Sequence, residues 1–127
     1  MVQRSKSKKL EQKSTIGRHL IIEVGNASRL DEKEYIARVL SEIADTIGAT
    51  TIRSTMHDFG EGYGITGLVL LAESHISVHT WPEYKYAAVD VFMCGLGDIY
   101  KSITVLRSYF PNADIEHELL IRGVEKR

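Results

Sequence analysis

Residues 50–94, in the middle of the chain, contain consecutive β-rich segments with no helical segment between them. Threonine, valine, isoleucine and aromatic side chains favour strands, and the predicted strands are residues 50–59, 65–72, 75–81 and 84–94. A glycine-rich turn at residues 60–64 separates the first two, and Trp81-Pro82 separates the last two because proline cannot donate a ladder hydrogen bond. Parallel strands need long crossover connections. These short gaps therefore predict a mostly antiparallel sheet.

A strand and a helix are predicted before this region, and a helix and a strand after it. Residues 19–24 form the first strand. The segment Asp31-Glu32-Lys33-Glu34 resembles a capping box with Asp31 at the N-cap, and Gly48 ends the helix that follows. Apolar residues at helical spacing predict a second helix over residues 99–110, and residues 115–121 form the last strand.

The order β-α-β-β-β-β-α-β predicts an α+β fold. We expect a two-layer α/β sandwich, with a mostly antiparallel sheet and two helices on one face. The other face, if apolar, requires a second protomer. Residues 16–127 are expected to form a single domain, and residues 1–15, with five basic residues against one acidic residue, a disordered polar tail.

The composition excludes several classes of protein. A formal net charge of −1 at pH 7 gives no electrostatic reason to expect binding to nucleic acid or to an anionic membrane. A single cysteine rules out an internal disulfide and fits a reducing compartment. No apolar run approaches the length of a membrane helix, and the basic N-terminus is not followed by an apolar signal segment. A cytoplasmic location is expected.

Reactive side chains lie between two of the predicted central strands. The stretch from Glu73 to Glu83 contains an acid–serine junction, two histidines and the only tryptophan. Strand alternation places Ser77 and His79 on one face, while Asp90 and Cys94 share a face of the next strand. A serine, a histidine and a cysteine can thus converge. Burying such groups costs free energy unless each finds a partner, which suggests chemistry.

Spacing alone leaves three interpretations of these residues open. In the structural one, His79 is a satisfied core histidine, Cys94 an inert thiol and Ser74 a turn residue. A metal site on His75 and His79 is disfavoured, because side chains four residues apart on a strand are separated by about 13 Å. The third is a Ser/His or Cys/His nucleophilic site. The chain has no G-x-S-x-G motif, which argues against a common hydrolase.

Several segments together resemble one known family, the prokaryotic S-adenosylmethionine decarboxylase proenzymes. The resemblance spans about residues 17–110 and is carried by Gly17-Arg18-His19-Leu20, Gly64-x-Thr66-Gly67, Glu73-Ser74-His75, Val78-His79-Thr80-Trp81-Pro82-Glu83 and Ala87-Ala88-Val89-Asp90-Val91-Phe92-x-Cys94-Gly95. It implies an α/β sandwich that dimerises through its sheets. It also implies decarboxylation of S-adenosylmethionine, which supplies aminopropyl groups for spermidine synthesis.

The same resemblance implies a self-processing enzyme. Cleavage between Glu73 and Ser74 would give chains of 73 and 54 residues (127 − 73 = 54). Ser74 would become a pyruvoyl group, which forms a Schiff base with the substrate amine, so neither pyridoxal phosphate nor a metal is expected. His79 matches the histidine that assists processing as an acid or base, and Cys94 matches the residue that returns a proton to the substrate α-carbon.

Further matches concern the substrate pocket. Phe59 matches an aromatic residue that suits the sulfonium and the adenine, and Glu83 matches the acid that binds the ribose hydroxyls. Trp81 and Glu73 complete the expected substrate-binding set. Thr66 stands where family members usually have a serine that assists processing. Threonine keeps the hydroxyl but restricts its rotamers.

The resemblance also implies a homodimer of cleaved protomers with shared sites. Ser74 and Cys94 would come from one chain, and Thr66 and His79 from its partner. Two alternative functions stay open at this point. One is a pyruvoyl-dependent arginine or ornithine decarboxylase on the same scaffold, and the other is a non-cleaving regulatory or binding relative.

Overall fold

The computed structural model describes residues 15–95 and 97–124. The elements follow the predicted order: β1 (Thr15–Gly25), α1 (Lys33–Thr46), β2 (Thr51–Asp58), β3 (Ile65–Leu71), β4 (Ser74–Trp81), β5 (Tyr86–Met93), α2 (Lys101–Tyr109) and β6 (Asp114–Val124). A short 3-10 turn over Pro82–Tyr84 forms the predicted break between β4 and β5. The predicted disordered tail lies outside the described residues, apart from Thr15, where β1 begins.

The six strands form one sheet in the order β2-β3-β4-β5-β1-β6. Each pairing between neighbouring strands of the described ranges is antiparallel. Strands β2 to β5 run as a meander, which the short turns between them predicted. Strand β1 inserts between β5 and β6, a placement that a sequence pattern does not reveal.

One face of the sheet packs against both helices and forms the core. Helix α1 contributes a stripe of buried apolar residues at helical spacing, and α2 contributes Ile103 and Leu106. Alternate residues of β4 and β5 point into this layer, including Ile76 and Val91, which are fully buried. The predicted two-layer α+β fold is confirmed. The buried residues of α1 are Ile36, Val39, Leu40, Ile43 and Ala44.

The start of α1 differs from the prediction. The helix begins at Lys33 with Glu32, not Asp31, at the N-cap, and among the described residues no side chain caps its first turn. Arg29 has a φ of +64°, and its guanidinium binds the Glu32 carboxylate at 2.9 Å. The capping-box prediction was therefore wrong. Glu32 forms an ion pair with Arg29, which precedes it in the chain, and Asp31 does not cap the helix. Gly48, with a φ of +80°, follows the helix as predicted.

The opposite face of the sheet is not covered by this chain's helices. On β3, Leu68 and Leu70 are 45% and 46% exposed, and His79 and Trp81 of β4 are exposed as well. Large apolar side chains on an open sheet face are typical of surfaces that bind another protein. Within residues 15–95 and 97–124, no helix is long and apolar enough to cross a membrane.

Thr80 provides a test of how the sheet is tied to the segment before α1. Its buried hydroxyl accepts a hydrogen bond from the Ile65 N–H and donates one to the Leu30 carbonyl, both at 2.8 Å. We expect Thr80→Val to lower the free energy of unfolding by about 1–3 kcal/mol, because both backbone groups lose a partner. Urea denaturation measures the change. The matched control Thr104→Val, at an exposed position of α2, should change it little.

Candidate active site

The turn between β3 and β4 consists of only Ala72 and Glu73, and Leu71 pairs directly with Ser74 across it. Two-residue hairpin turns usually belong to types I′ or II′, in which one or both turn residues have a positive φ. Neither Ala72 nor Glu73 has a positive φ. This turn therefore lacks the twist that normally matches the flanking strands, and contacts from outside the hairpin become important for its geometry.

Cys94 binds the carbonyl oxygen of Glu73 with two donors. The backbone N–H and the thiol of Cys94 each lie 3.1 Å from that oxygen. Register explains the contact: Met93 pairs with Ser74, so the next residue of the chain reaches the turn. Paired donors on a carbonyl oxygen stabilise the negative charge that develops when a nucleophile attacks the carbonyl carbon. The half-buried Ser74, whose hydroxyl is one residue away, is such a nucleophile.

Arg18 of β1 holds the loop that follows Cys94. Its guanidinium donates to the carbonyl oxygens of Gly95, at 3.1 Å, and Gly97, at 2.5 Å. Gly95 has a φ of +91°, a conformation that only glycine adopts easily. The exposed thiol of Cys94 is thus kept beside the Glu73–Ser74 peptide bond by backbone and side-chain contacts together.

The side chain of Glu73 is held separately by Thr50, in the connection between α1 and β2. Its carboxylate accepts hydrogen bonds from the Thr50 N–H at 3.0 Å and the Thr50 hydroxyl at 3.3 Å. The backbone hydrogen bond contributes most to keeping the pKa of the Glu73 carboxyl below its ordinary value. The carboxylate predicted to bind substrate is therefore already engaged within the chain.

A second group of predicted residues lies at the other end of β3 and β4. The hydroxyl of Thr66 and Nδ1 of His79 are joined by a hydrogen bond of 3.1 Å. The His79 ring lies 6.4 Å from that of Trp81, which in turn stacks on Tyr86 at 5.5 Å. These side chains form an aromatic strip on the open face, with His79 exposed and its ring accessible to a ligand or a partner.

The remaining predicted substrate-binding residues lie in exposed turns. Phe59 follows the end of β2, is 59% exposed and packs edge-on against His57 at 4.5 Å. Glu83 is exposed in the 3-10 turn after Trp81. Both belong to the end of the sheet that carries Thr66, because β2 pairs with β3 and the 3-10 turn follows β4.

One chain does not bring the two groups together. Ser74 and His79 are five residues apart on β4, or about 16 Å, and strand alternation points their side chains to opposite faces. Ser77, His79 and Cys94 likewise fail to converge, because Cys94 lies beyond the end of β5 while His79 pairs with Ala88. The predicted convergence on one chain was wrong. Alternation fixes the face of a residue but not its position along the neighbouring strand.

A third group, centred on Asp90, was not recognised in the sequence. Its carboxylate accepts hydrogen bonds from Nε2 of His19 at 2.6 Å, Nε2 of His75 at 3.0 Å and the hydroxyl of Ser77. Burial alone would raise the pKa of Asp90, but the hydrogen bonds outweigh it and hold the pKa below its usual value. Only the register, in which Ser77 pairs with Asp90 and β1 lies beside β5, reveals this group.

His19, His75 and Asp90 carry atoms within 4.8 Å of one another that could ligate a metal ion. Arg122 argues against that use, because its guanidinium has only donors and lies 3.1 Å from Nδ1 of His19. Nδ1 therefore accepts, and Nε2 carries the ring proton that it donates to Asp90. With Nε2 as donor, the contacts of His19, His75 and Asp90 form a hydrogen-bond network centred on the Asp90 carboxylate.

Asp90→Asn tests the electrostatic contribution of this network. A carboxyl whose pKa is lowered by folding stabilises the protein above its unfolded pKa, about 3.9, and that contribution disappears as pH falls through the lower folded pKa. We expect the variant to be less stable by about 1–3 kcal/mol at pH 7. The difference from wild type should shrink below about pH 4. Urea denaturation at several pH values measures it.

The control for this prediction is Asp45→Asn, at an exposed position of α1. Its difference from wild type should be small at every pH. A difference for Asp90→Asn that stays constant from pH 7 to pH 3 would show that the Asp90 charge contributes nothing to stability.

Comparison with known proteins places this arrangement in a family. The sequence model described as S-adenosylmethionine decarboxylase matches residues 18–123. A protein named S-adenosylmethionine decarboxylase proenzyme from Parasynechococcus marenigrum is 49% identical over 82 residues, which are 63% of this chain and 63% of that protein. A protein of the same name from Thermosipho melanesiensis is 38% identical over 112 residues, 86% of this chain and 85% of that one.

A solved structure agrees with the sequence comparison. The crystal structure of the adenosylmethionine decarboxylase from Aquifex aeolicus superposes with a TM-score of 0.79 at 32% identity, over 89% of this chain and 95% of that chain. The residues that the family's sequence model matches, 18–123, include all of β2 to β5, most of β1 and β6, and the Ala72-Glu73 turn with Ser74 after it. The chain therefore belongs to the S-adenosylmethionine decarboxylase family.

Proposed function

We propose that this protein is a self-processing decarboxylase that acts on S-adenosylmethionine through a pyruvoyl group formed from Ser74. The observation that carries the proposal is the Glu73 carbonyl, which accepts hydrogen bonds from the N–H and the thiol of Cys94 beside the Ser74 hydroxyl. Relatives along most of the chain are named as proenzymes of this decarboxylase, which supports the same conclusion. Residues 16–127 form the catalytic domain, and the enzyme works in the cytoplasm.

Self-cleavage begins at the turn between β3 and β4. The Ser74 oxygen bonds to the Glu73 carbonyl carbon and the C–N bond breaks, while the hydroxyl proton ends on the freed nitrogen. Negative charge develops on the oxygen that Cys94 contacts, so both Cys94 donors stabilise the transition state. Loss of the Ser74 α-proton then breaks the ester and frees the Glu73 carboxylate. The remaining enamine tautomerises to an imine. Water adds to the imine carbon, and ammonia leaves.

The residues around Ser74 suit the pyruvoyl group that results. This group supplies an electrophilic carbonyl that condenses with the substrate amine and accepts the electron pair of the C–CO₂ bond. The thiol of Cys94, which is exposed at the same peptide, returns a proton to the substrate α-carbon. At the opposite end of the sheet, which the dimer described below brings to the Ser74 of the other chain, Phe59 and Trp81 offer exposed aromatic faces for the adenine and the sulfonium, and Glu83 a carboxylate for the ribose.

The working unit is a homodimer that associates through the open faces of its sheets. In one chain Ser74 and His79 are about 16 Å apart. An antiparallel arrangement of two sheets places the Ser74 end of one opposite the His79 end of the other, and Ser74, as the half-buried first residue of β4, lies at the end of the sheet, where the partner can reach it. The partner's Thr66 and His79, which already share a hydrogen bond, then assist processing at the Ser74 of the first chain.

The two alternative functions lack a supporting observation. An arginine or ornithine decarboxylase would need no site for a nucleoside, whereas this chain exposes Phe59, Trp81 and Glu83 at one end of its sheet. A non-cleaving relative would have no use for two donors on the Glu73 carbonyl. The S-adenosylmethionine assignment is therefore the one that the site supports best.

The first test of this function is cleavage itself. Intact-mass analysis should show fragments of 73 and 54 residues, the second blocked at its N-terminus and modified by borohydride. Ser74→Ala should remain one chain of 127 residues, while the control Ser54→Ala, at an exposed position of β2, should cleave as wild type does. The cleaved enzyme should release CO₂ from S-adenosylmethionine but not from arginine or ornithine. Fragments from Ser74→Ala would contradict the assignment.

The second test addresses the shared site. Neither Ser74→Ala nor His79→Ala should cleave efficiently as a homodimer. When the two are expressed together, the heterodimer has one site with an intact Ser74 and an intact His79. Part of the His79→Ala chain should therefore be cleaved, which mass analysis of differently tagged chains can measure. Purified heterodimers with no cleavage, or a protein that sediments as a monomer, would contradict the shared-site arrangement.

A further inference from the structure

Thr50 contacts both residues of the turn that contains the cleavage site. Its carbonyl accepts the Ala72 N–H at 2.9 Å, and its N–H and hydroxyl bind the Glu73 carboxylate at 3.0 and 3.3 Å. The two bonds to Glu73 span 23 positions of the chain, so all three contacts are long-range. Thr50 lies in no helix or strand, and nothing in the cleavage reaction described above requires it.

An irregularity in the sheet brings Thr50 to this position. The pairing of β2 with β3 shifts between Thr51, which pairs with Leu71, and Arg53, which pairs with Leu70. Such a bulge bends the strand and changes the direction of the residues next to it. Ile52, the extra residue, is 62% exposed and adds no core packing. The bulge directs the preceding residue, Thr50, towards the turn.

The contacts matter because this turn is not of the types that usually join two antiparallel strands. Ala72 and Glu73 lack the positive φ values of the usual two-residue hairpin turns. Glu73 is also bound from outside the turn, by Cys94 at the carbonyl oxygen and by Thr50 at the carboxylate. The lowered pKa of Glu73 is consistent with a carboxylate that stays ionised in this contact.

We propose that Thr50 and the Glu73 carboxylate form a clamp that positions the Glu73 carbonyl for attack by Ser74. The clamp makes the Glu73 side chain a positioning group for self-cleavage, instead of the substrate-binding group that the sequence suggested. This inference rests on the proposed function, since it concerns the same cleavage. If the carboxylate is removed, the carbonyl rotates away from the Cys94 donors and fewer molecules hold the attacking geometry.

The test follows cleavage of the newly made full-length chain by pulse–chase labelling. We expect Glu73→Ala to slow cleavage roughly 10- to 100-fold, the range in which small misplacements reduce catalysis. Thr50→Val loses only the longer hydroxyl bond and keeps the backbone donor, so its effect should be a few-fold, and Thr50→Ser should restore the wild-type rate. The matched controls Glu34→Ala and Thr104→Val, at exposed helix positions, should cleave normally.

Two further measurements separate positioning from a general loss of structure. The double variant Glu73→Ala, Thr50→Val should cleave no more slowly than Glu73→Ala alone, since both changes remove one interaction. The wild-type rate should fall in acid as Glu73 becomes protonated, whereas Glu73→Gln should lack that part of the pH profile. Each variant is also combined with Ser74→Ala, which prevents cleavage. The thermal unfolding of this uncleaved protein is then compared with that of Ser74→Ala alone, and equal midpoints exclude a general loss of structure.

The outcomes distinguish the clamp from the function on which it rests. A wild-type chain that cleaves together with a Glu73→Ala chain that cleaves equally fast would overturn the clamp alone. A wild-type chain that does not cleave would overturn the proposed function. Normal cleavage of Glu73→Ala with a raised KM for S-adenosylmethionine would assign the carboxylate to substrate binding instead.

Discussion

The interaction on which the candidate active site depends joins Cys94, just beyond β5, to the carbonyl oxygen of Glu73 in the β3–β4 turn. It exists only if β4 and β5 pair in a register that brings the end of one to the beginning of the other. Arg18 of β1 then fixes the loop after Cys94, and Thr50 fixes Glu73 from the side of α1. Elements that are distant in sequence thus converge on the peptide bond before Ser74, and the sheet supplies the rigid framework that such convergence requires.

The secondary structure and the fold class could be predicted because their signals are local. Alternation, helical spacing and glycine or proline at the turns determined every strand and helix within a few residues, including the break after Trp81. The failure at Asp31 is also local in origin. The pattern of a capping box was present, but Glu32 binds Arg29, whose backbone had turned into a left-handed conformation. A four-residue motif gives no information on whether a neighbouring residue outside it, here Arg29, pairs with one of its side chains.

The site could be predicted only in part, because it depends on register. Alternation correctly placed Ser77 and His79 on the face opposite Ile76. It could not show that Ser77 pairs with Asp90, or that β1 lies next to β5 and adds His19 to that carboxylate. Strand order and register follow from long-range pairing, which is absent from any single segment. The roles proposed for Ser74, His79 and Cys94 accordingly came from family resemblance, and the structure adds the contacts around them.

The Asp90 network also bears on how the open face can be covered. An ionised carboxylate in an interface costs several kcal/mol unless its hydrogen bonds and its charge are satisfied. Asp90 accepts three hydrogen bonds from its own chain, and Arg122 balances its charge through His19. In the proposed dimer, the second protomer therefore need not provide a cation at the centre of the sheet. It can bind through exposed apolar residues such as Leu68, which leaves the two ends of the sheet, where the reactive groups lie, to meet those of the partner.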